Sequence, residues 1–144
     1  MIYGELADIP PFNPDLDTGA VPAPVSRFRA ALQASDAVVI SSPEYAHGVS
    51  GVLKNALDWV VGSGELIDKP IALINASRRA THAHAALLET LTTMSGHVVT
   101  AASVTMTFDG ASLGADSDLS ERASTGLSAA IAALADATRV PRRA

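Results

Sequence analysis

The chain has 144 residues, a net charge of −5, no cysteine and 48% apolar residues. This length suits one domain with its own hydrophobic core. The composition excludes a disulfide framework, a cysteine nucleophile and a cysteine-based metal site. The few basic residues form no stripe, so no nucleic-acid partner is expected. No apolar run approaches the ~20 residues of a membrane span, and we expect a cytoplasmic protein without a membrane partner.

The N-terminal part of the chain has the least regular pattern. Ile2–Leu6 is compatible with a short strand. The proline-rich stretch 9–24 has no apolar periodicity and is too long for a routine loop. We therefore expect it to lie over the surface of the domain or to form the rim of a functional site.

The rest of the chain alternates between strand and helix patterns. Three apolar runs lack a clean alternation and are predicted to be strands covered on both faces: Ala37–Ser41, Pro70–Asn75 and His97 to about Val104. Four helices are predicted, each from one apolar stripe. The first stripe is Val25, Phe28 and Leu32; the second is Val52, Leu53, Ala56, Leu57 and Val60; the third is Leu87, Leu88, Leu91 and Met94; the fourth is Leu127, Ile131 and Leu134. The fourth helix is predicted over about Leu119–Ala137, and Asp118 and Glu121 form a capping pair at its start. This order predicts an α/β fold with a parallel sheet between layers of helices.

The loop that follows the first predicted strand has the composition of a binding site. It reads SPEYAHG, and ligands of open parallel sheets lie beyond the carboxyl ends of the strands. Pro43 and Gly48 limit or relax the backbone, and Tyr45 offers a flat face with one polar end. From the residues alone, a site for a planar ligand and an ordinary strand-to-helix turn stay equally open.

The longer segment SPEYAHGVSGVLKNALDW, residues 42–59, resembles the signature of the NADPH-dependent FMN reductase family. Weaker similarity covers LADIPPFNPDLD before it and KPIALINAS after it. The resemblance implies one flavodoxin-like domain over residues 1–144, a three-layer sandwich with a parallel sheet. It also implies an NAD(P)H-dependent FMN reductase or quinone reductase.

The resemblance carries an expected flavin site with it. In the family the Pro-Glu-Tyr loop lines the isoalloxazine ring of FMN, and the loop beginning Asn75-Ala76-Ser77 resembles the second wall. The expected cofactor-binding residues are therefore Pro43, Glu44, Tyr45, Ala46, His47, Gly48 and Ser77. The expected cofactors are FMN and NAD(P)H, and the expected partner is a small-molecule electron acceptor. The cofactors perform the hydride transfer, so no catalytic residue is named.

The sequence departs from the family at its start. Members open with a strand and a Gly/Ser/Arg loop that binds the FMN phosphate, and neither is found in these 144 residues. The expected fold is therefore N-terminally truncated, either because translation starts further upstream or because the chain is a shortened paralogue. A flavodoxin-like electron carrier and a cofactor-less interaction protein stay as alternatives to the reductase.

Other signals were weighed against simpler explanations. Arg78 and Arg79 follow Ser77 and could contact a phosphate of NADPH, but a solvated pair on an exposed loop is the favoured explanation. His82 and His84 are two apart on a helix and point in different directions, so no metal site is predicted. Ser50 lies too far past the strand for a hydrolase elbow. Relatives of this family pair as homodimers or homotetramers, and the Leu53–Trp59 helix is the expected interface.

Overall fold

The computed structural model describes residues 1–106 and 121–139, without the side chain of Arg122. These residues form four α-helices: α1 (Ala23–Gln33), α2 (Gly51–Asp58), α3 (Thr81–Thr93) and α4 (Glu121–Thr138). They form six strands: β1 (Val38–Ser41), β2 (Glu44–Tyr45), β3 (Gly48–Val49), β4 (Pro70–Asn75), β5 (His97–Val98) and β6 (Val104–Thr105). The predicted capping residue Asp118 lies outside the described residues.

The main sheet is built around β4. β1 pairs with β4 in parallel, from Val38 beside Ile71 to Ser41 beside Ile74. On the other side of β4, β5 and then β6 pair with it, also in parallel. All six residues of β4 are buried, as expected of a continuous apolar strand covered on both faces. The predicted parallel sheet is confirmed.

The third predicted strand is interrupted. A short 3-10 turn, Thr100–Ala102, separates β5 from β6. The hydroxyl of Ser103 donates to the carbonyl of Val99 at 2.9 Å and accepts from the N–H of Leu73 at 3.1 Å. The Ser103 side chain therefore supplies an acceptor for Leu73 where the strand pairing is broken.

Helices cover both faces of the sheet. Ile71 and Leu73 belong to a large core cluster with residues of α1, α2 and α3, among them Val25, Leu57 and Leu91. Ala72 points to the opposite face, where it packs with Ala102 and Leu134 of α4. The predicted three-layer α/β sandwich is confirmed.

Several details of the prediction were wrong. Ile2–Leu6 is not a strand; Ile2 is 95% exposed and a 3-10 turn begins at Leu6. Val52, Leu88 and Ile131 are exposed although each was assigned to an apolar stripe. In each of these helices a residue next to the exposed one is buried, but the exposed residue itself lies just outside the contact face. A single contact face covers only part of the helix circumference.

β1 is also less covered than expected. It lies at the edge of the sheet, its burial alternates, and Val39 is 44% exposed. Val39 is in register with Ala72, on the α4 side of the sheet. The prediction that all strands are covered on both faces therefore holds for β4 but not for β1.

The proline-rich stretch lies against α2 and the residue that follows it. The Trp59 ring N–H donates to the carbonyl of Pro10 at 2.8 Å, and the Trp59 and Phe12 rings meet edge to face at 5.1 Å. The side chain of Asn55 also makes hydrogen bonds to this stretch, accepting through its amide oxygen and donating through its amide nitrogen. Trp59 is fully buried, as expected for a core residue. In the described ranges, no helix is long and apolar enough to cross a membrane.

Candidate functional site

The loop after β1 forms a hairpin. β2 and β3 pair antiparallel, with Tyr45 opposite Gly48. The two residues between them, Ala46 and His47, have φ angles of 48° and 61°. Two successive left-handed residues define the tight turn that matches the twist of paired strands, a turn usually made with Asn or Gly. Ala46-His47 is not a standard hairpin turn sequence, and the hairpin was not predicted.

A second loop leaves the end of β4, next to β1 in the sheet. Asn75 fixes its shape: the side-chain oxygen accepts from the Ser77 N–H at 3.0 Å, and the side-chain amide donates to the Ala80 carbonyl at 3.0 Å. The Ser77 hydroxyl then accepts from the Arg79 N–H at 3.2 Å. The loop is short, internally bonded and ends where α3 begins.

A cleft of about 490 Å³ lies between these two loops. It opens beyond the carboxyl ends of β1 and β4, where parallel sheets bind their ligands. One wall consists of residues 41–44 and the other of residues 75–80; the lining residues are Ser41, Ser42, Pro43, Glu44, Asn75, Ala76, Ser77, Arg79 and Ala80. The volume is within the usual range for a small-molecule or cofactor site.

Three of the seven predicted site residues line this cleft together. Pro43 and Glu44 lie on one wall and Ser77 on the other. The remaining four, Tyr45, Ala46, His47 and Gly48, form the hairpin next to the first wall and are not among the residues lining the cleft. A direct role for these four residues stays a prediction.

Two side-chain contacts of the hairpin were not foreseen. The Glu44 carboxylate accepts a hydrogen bond from the N–H of Ala83, in the first turn of α3, at 2.8 Å. The rings of His47 and His82 stack, with centroids 4.2 Å apart and an angle of 15° between planes. Both contacts join residues more than 30 positions apart, and a local sequence pattern carries no signal for them.

The donors around the cleft suit a flat ring with carbonyl oxygens and ring nitrogens. The N–H groups of Ala46 and His47 on the hairpin, and of Ala76 and Arg78 on the second loop, have no acceptor among the described residues. Main-chain donors without partners are costly unless water or a ligand uses them. Arg79 adds a cation to the second wall. Unpaired donors on both sides of the cleft are compatible with the isoalloxazine ring of FMN, and a contact of these residues with the ring stays a prediction.

A parallel sheet between two layers of helices, with a cleft at its carboxyl edge, is the architecture of a flavodoxin-like α/β protein. Residues 2–111 match the sequence profile of the family described as NADPH-dependent FMN reductase. The chain therefore belongs to this family, and the predicted resemblance is confirmed.

Similarity to individual proteins supports the same family. An NAD(P)H-dependent FMN reductase of Pseudomonas aeruginosa is 42% identical over 78 residues, covering 51% of this chain and 42% of the relative. A quinone reductase of Pseudomonas putida is 38% identical over 76 residues, covering 51% of this chain and 41% of the relative. The chain thus spans about two fifths of the length of these curated relatives.

One solved structure adds support for the fold. FerB of Paracoccus denitrificans, a flavoenzyme NAD(P)H:(acceptor) oxidoreductase, superposes with a TM-score of 0.69 at 28% identity. The superposition covers 90% of this chain and 75% of FerB. The predicted flavodoxin-like fold is confirmed.

Proposed function

We propose that this protein is an NAD(P)H-dependent FMN oxidoreductase that reduces a small acceptor such as a quinone. The observation that carries the proposal is the cleft in which Pro43 and Glu44 face Ser77 across the carboxyl edge of the sheet. Membership of the FMN reductase family and the names of the matched relatives support the same activity.

The flavin ring is proposed to lie between the two walls. The unpaired N–H groups of Ala46 and His47 on the hairpin, and of Ala76 and Arg78 on the second loop, are the proposed donors to its oxygens and nitrogens. Fixed main-chain dipoles stabilise negative charge on a reduced ring without having to reorient.

FMN held between the two walls would supply the hydride chemistry that links NAD(P)H to the acceptor. The chain needs no acid–base pair for this step, and its contribution is to bind and orient the reactants. Arg79, exposed on the second wall, is proposed to contact a phosphate of NAD(P)H or of FMN. Arg78 precedes it on the same exposed loop.

The test is reconstitution of the purified chain with FMN. Binding is followed by quenching of flavin fluorescence, and turnover by loss of NADPH or NADH absorbance with a small quinone as acceptor. We expect saturable 1:1 binding and flavin-dependent oxidation. Binding without oxidation would replace the reductase with an electron carrier, and no binding would overturn the proposal.

Tyr45→Ala tests the placement of the hairpin at the ring. Tyr45 is 66% exposed, so its loss should change stability little but weaken FMN binding about tenfold if it covers the ring. Ile67→Ala, another exposed apolar truncation, is the matched control. Equal FMN affinity in both variants would remove Tyr45 from the site.

We further propose one domain over residues 1–144, a cytoplasmic location where NAD(P)H is available, and a homodimer or homotetramer.

The expected interface helix is mostly buried within the chain: Leu53, Leu57 and Trp59 all face the core. Val52 and Val61, both more than half exposed, remain for a subunit contact. Light scattering of wild type and a Val52→Asp variant tests this, and an unchanged mass would exclude that face.

A further inference from the structure

The first turn of α3 lacks a cap of its own. Ala80 stands at the N-cap position and offers no side-chain acceptor, and no acidic residue lies in the first turn. Helix starts leave several N–H groups unpaired and carry a partial positive charge, so an acceptor, and above all a carboxylate, is stabilising there.

Glu44 supplies that acceptor from the other side of the cleft. Its carboxylate receives the N–H of Ala83, the third residue of α3, at 2.8 Å. Glu44 belongs to the first wall, whereas α3 begins directly after the second wall, which ends at Ala80. The hydrogen bond therefore joins the two walls through a single charged group.

A second contact acts between the same two elements. His47 on the hairpin stacks on His82, the neighbour of Ala83, with ring centroids 4.2 Å apart. The hairpin is thus held on the first turn of α3 at two points, one polar and one by ring stacking. The side chains of Glu44 and His47 both contact α3, so the proposed flavin contacts of these two residues are those of their main chain.

We propose that Glu44 is a positioning residue for the flavin site: its carboxylate, bonded to Ala83, sets the distance between the hairpin wall and the 75–80 wall. This inference rests on the proposed FMN function and deepens it. Glu44 acts through α3 and the width of the cleft, rather than by a contact of its side chain with the ring.

The test separates this role from simple helix capping. Glu44→Ala removes the carboxylate, and Ala80→Ser places a local acceptor at the N-cap, from which a serine hydroxyl reaches the N–H of the third helical residue, Ala83. The double variant Glu44→Ala/Ala80→Ser therefore restores the cap of α3 but leaves the walls unconnected. Ala80→Ser alone and Glu89→Ala, an exposed carboxylate on α3, are the controls.

Two readouts are needed. The first is hydrogen exchange of the Ala83 amide in the FMN-free protein, which should accelerate about tenfold in Glu44→Ala and return toward wild type in the double variant. The second is the Kd for FMN, which should rise about tenfold in Glu44→Ala and stay raised in the double variant. Glu89→Ala should match wild type in both readouts, and Ala80→Ser alone, a change in the cleft wall, gives the reference Kd with which the double variant is compared.

The outcomes are distinct. Unchanged Ala83 exchange in Glu44→Ala would show that the hydrogen bond does not form, and recovery of FMN affinity in the double variant would reduce Glu44 to a helix cap. Either result overturns the inference. If the wild-type chain fails to bind FMN, the proposed function and the positioning role fall together, while the exchange data still decide whether Glu44 holds the start of α3.

Discussion

Asn55 and Phe12, 43 positions apart, are joined by a hydrogen bond of 2.8 Å from the Phe12 N–H to the Asn55 side-chain oxygen. The other end of the same amide donates to the carbonyls of Ile9 and Pro10, at 3.2 and 3.0 Å. Asn55 lies in the segment VLKNALDW, by which the family was recognised. In this structure it fixes the proline-rich stretch against α2, so that part of the signature is structural.

Replacing Asn55 with Ala should destabilise the fold. The change removes three hydrogen bonds and leaves main-chain groups of Ile9, Pro10 and Phe12 without their partner, a loss of about 1–3 kcal/mol. Urea unfolding of the purified chain measures it. Gln33→Ala, an exposed amide at the end of α1, is the control and should change stability by less than about 0.5 kcal/mol. Equal effects of the two substitutions would contradict the structural role of Asn55.

Two arginines of α1 should differ sharply in their importance. The side chain of Arg29 is 14% exposed; it pairs with Asp17 at 2.7 Å, bonds the Trp59 carbonyl, and lies 3.9 Å from buried Glu65. Arg29→Ala should cost about 2–4 kcal/mol, because Asp17, the Trp59 carbonyl and Glu65 lose a shared cation.

Arg27 provides the matched comparison on the same helix. Its pair with Glu5 is about half exposed on both sides, at 3.1 Å. Solvent screening limits such a pair, so Arg27→Ala should cost less than about 0.5 kcal/mol. Thermal unfolding of both variants gives the difference directly. A cost for Arg27→Ala as large as that for Arg29→Ala would be incompatible with these environments.

The sequence alone predicted the parts of the fold that depend on local apolar patterns. The segment PIALIN is an unbroken apolar run up to its last residue, and it forms the central, fully buried strand β4. Val25, Phe28 and Leu32 are the buried face of α1, as their spacing predicts. The prediction that Leu88 and Ile131 are buried was wrong, because an apolar residue at the margin of a helix stripe is buried only if a neighbouring element packs against it. No local sequence pattern records that packing.

The candidate site was predicted by position but not by its connections. Pro43, Glu44 and Ser77 do line one cleft, and their expected place came from the family resemblance together with the rule for parallel sheets. The Glu44–Ala83 hydrogen bond and the His47–His82 stack depend on where α3 begins relative to the hairpin. That relation follows from packing of the whole chain, so residue types and spacing could not supply it.

Two glycines should respond in opposite directions to alanine. A Cβ on Gly96 would lie 2.8 Å from the Cδ1 of Ile71 and 3.0 Å from the Leu91 carbonyl oxygen, so Gly96→Ala should destabilise the fold by about 1–3 kcal/mol. A Cβ on Gly126, within α4, would meet nothing within 4 Å among the described atoms. Gly126→Ala should therefore stabilise the fold by about 0.5–1 kcal/mol. Denaturant midpoints measure both, and a shift of the same sign in both variants would contradict these surroundings.

Tyr3 should make stability fall at alkaline pH. Burial, with a smaller contribution from the Glu5 carboxylate, raises the pKa of Tyr3 above its ordinary value. The unfolded chain therefore releases this proton at a lower pH than the folded protein does. The resulting stabilisation is complete below about pH 10 and is lost as pH rises through the raised pKa. Stability measured against pH should fall less steeply in that range for Tyr3→Phe than for wild type.

The same substitution has a second consequence at neutral pH. The Tyr3 hydroxyl is buried without a hydrogen-bond partner in the described part of the chain, while its ring packs on Phe28 with centroids 5.2 Å apart. Tyr3→Phe keeps the ring contact and removes the unpaired hydroxyl, so stability at pH 7 should be equal or higher by up to about 1 kcal/mol. Tyr45→Phe, which removes an exposed hydroxyl, should leave stability unchanged. A marked loss in Tyr3→Phe would mean that the hydroxyl has a partner in solution, since only a lost hydrogen bond would destabilise a variant that preserves the ring packing.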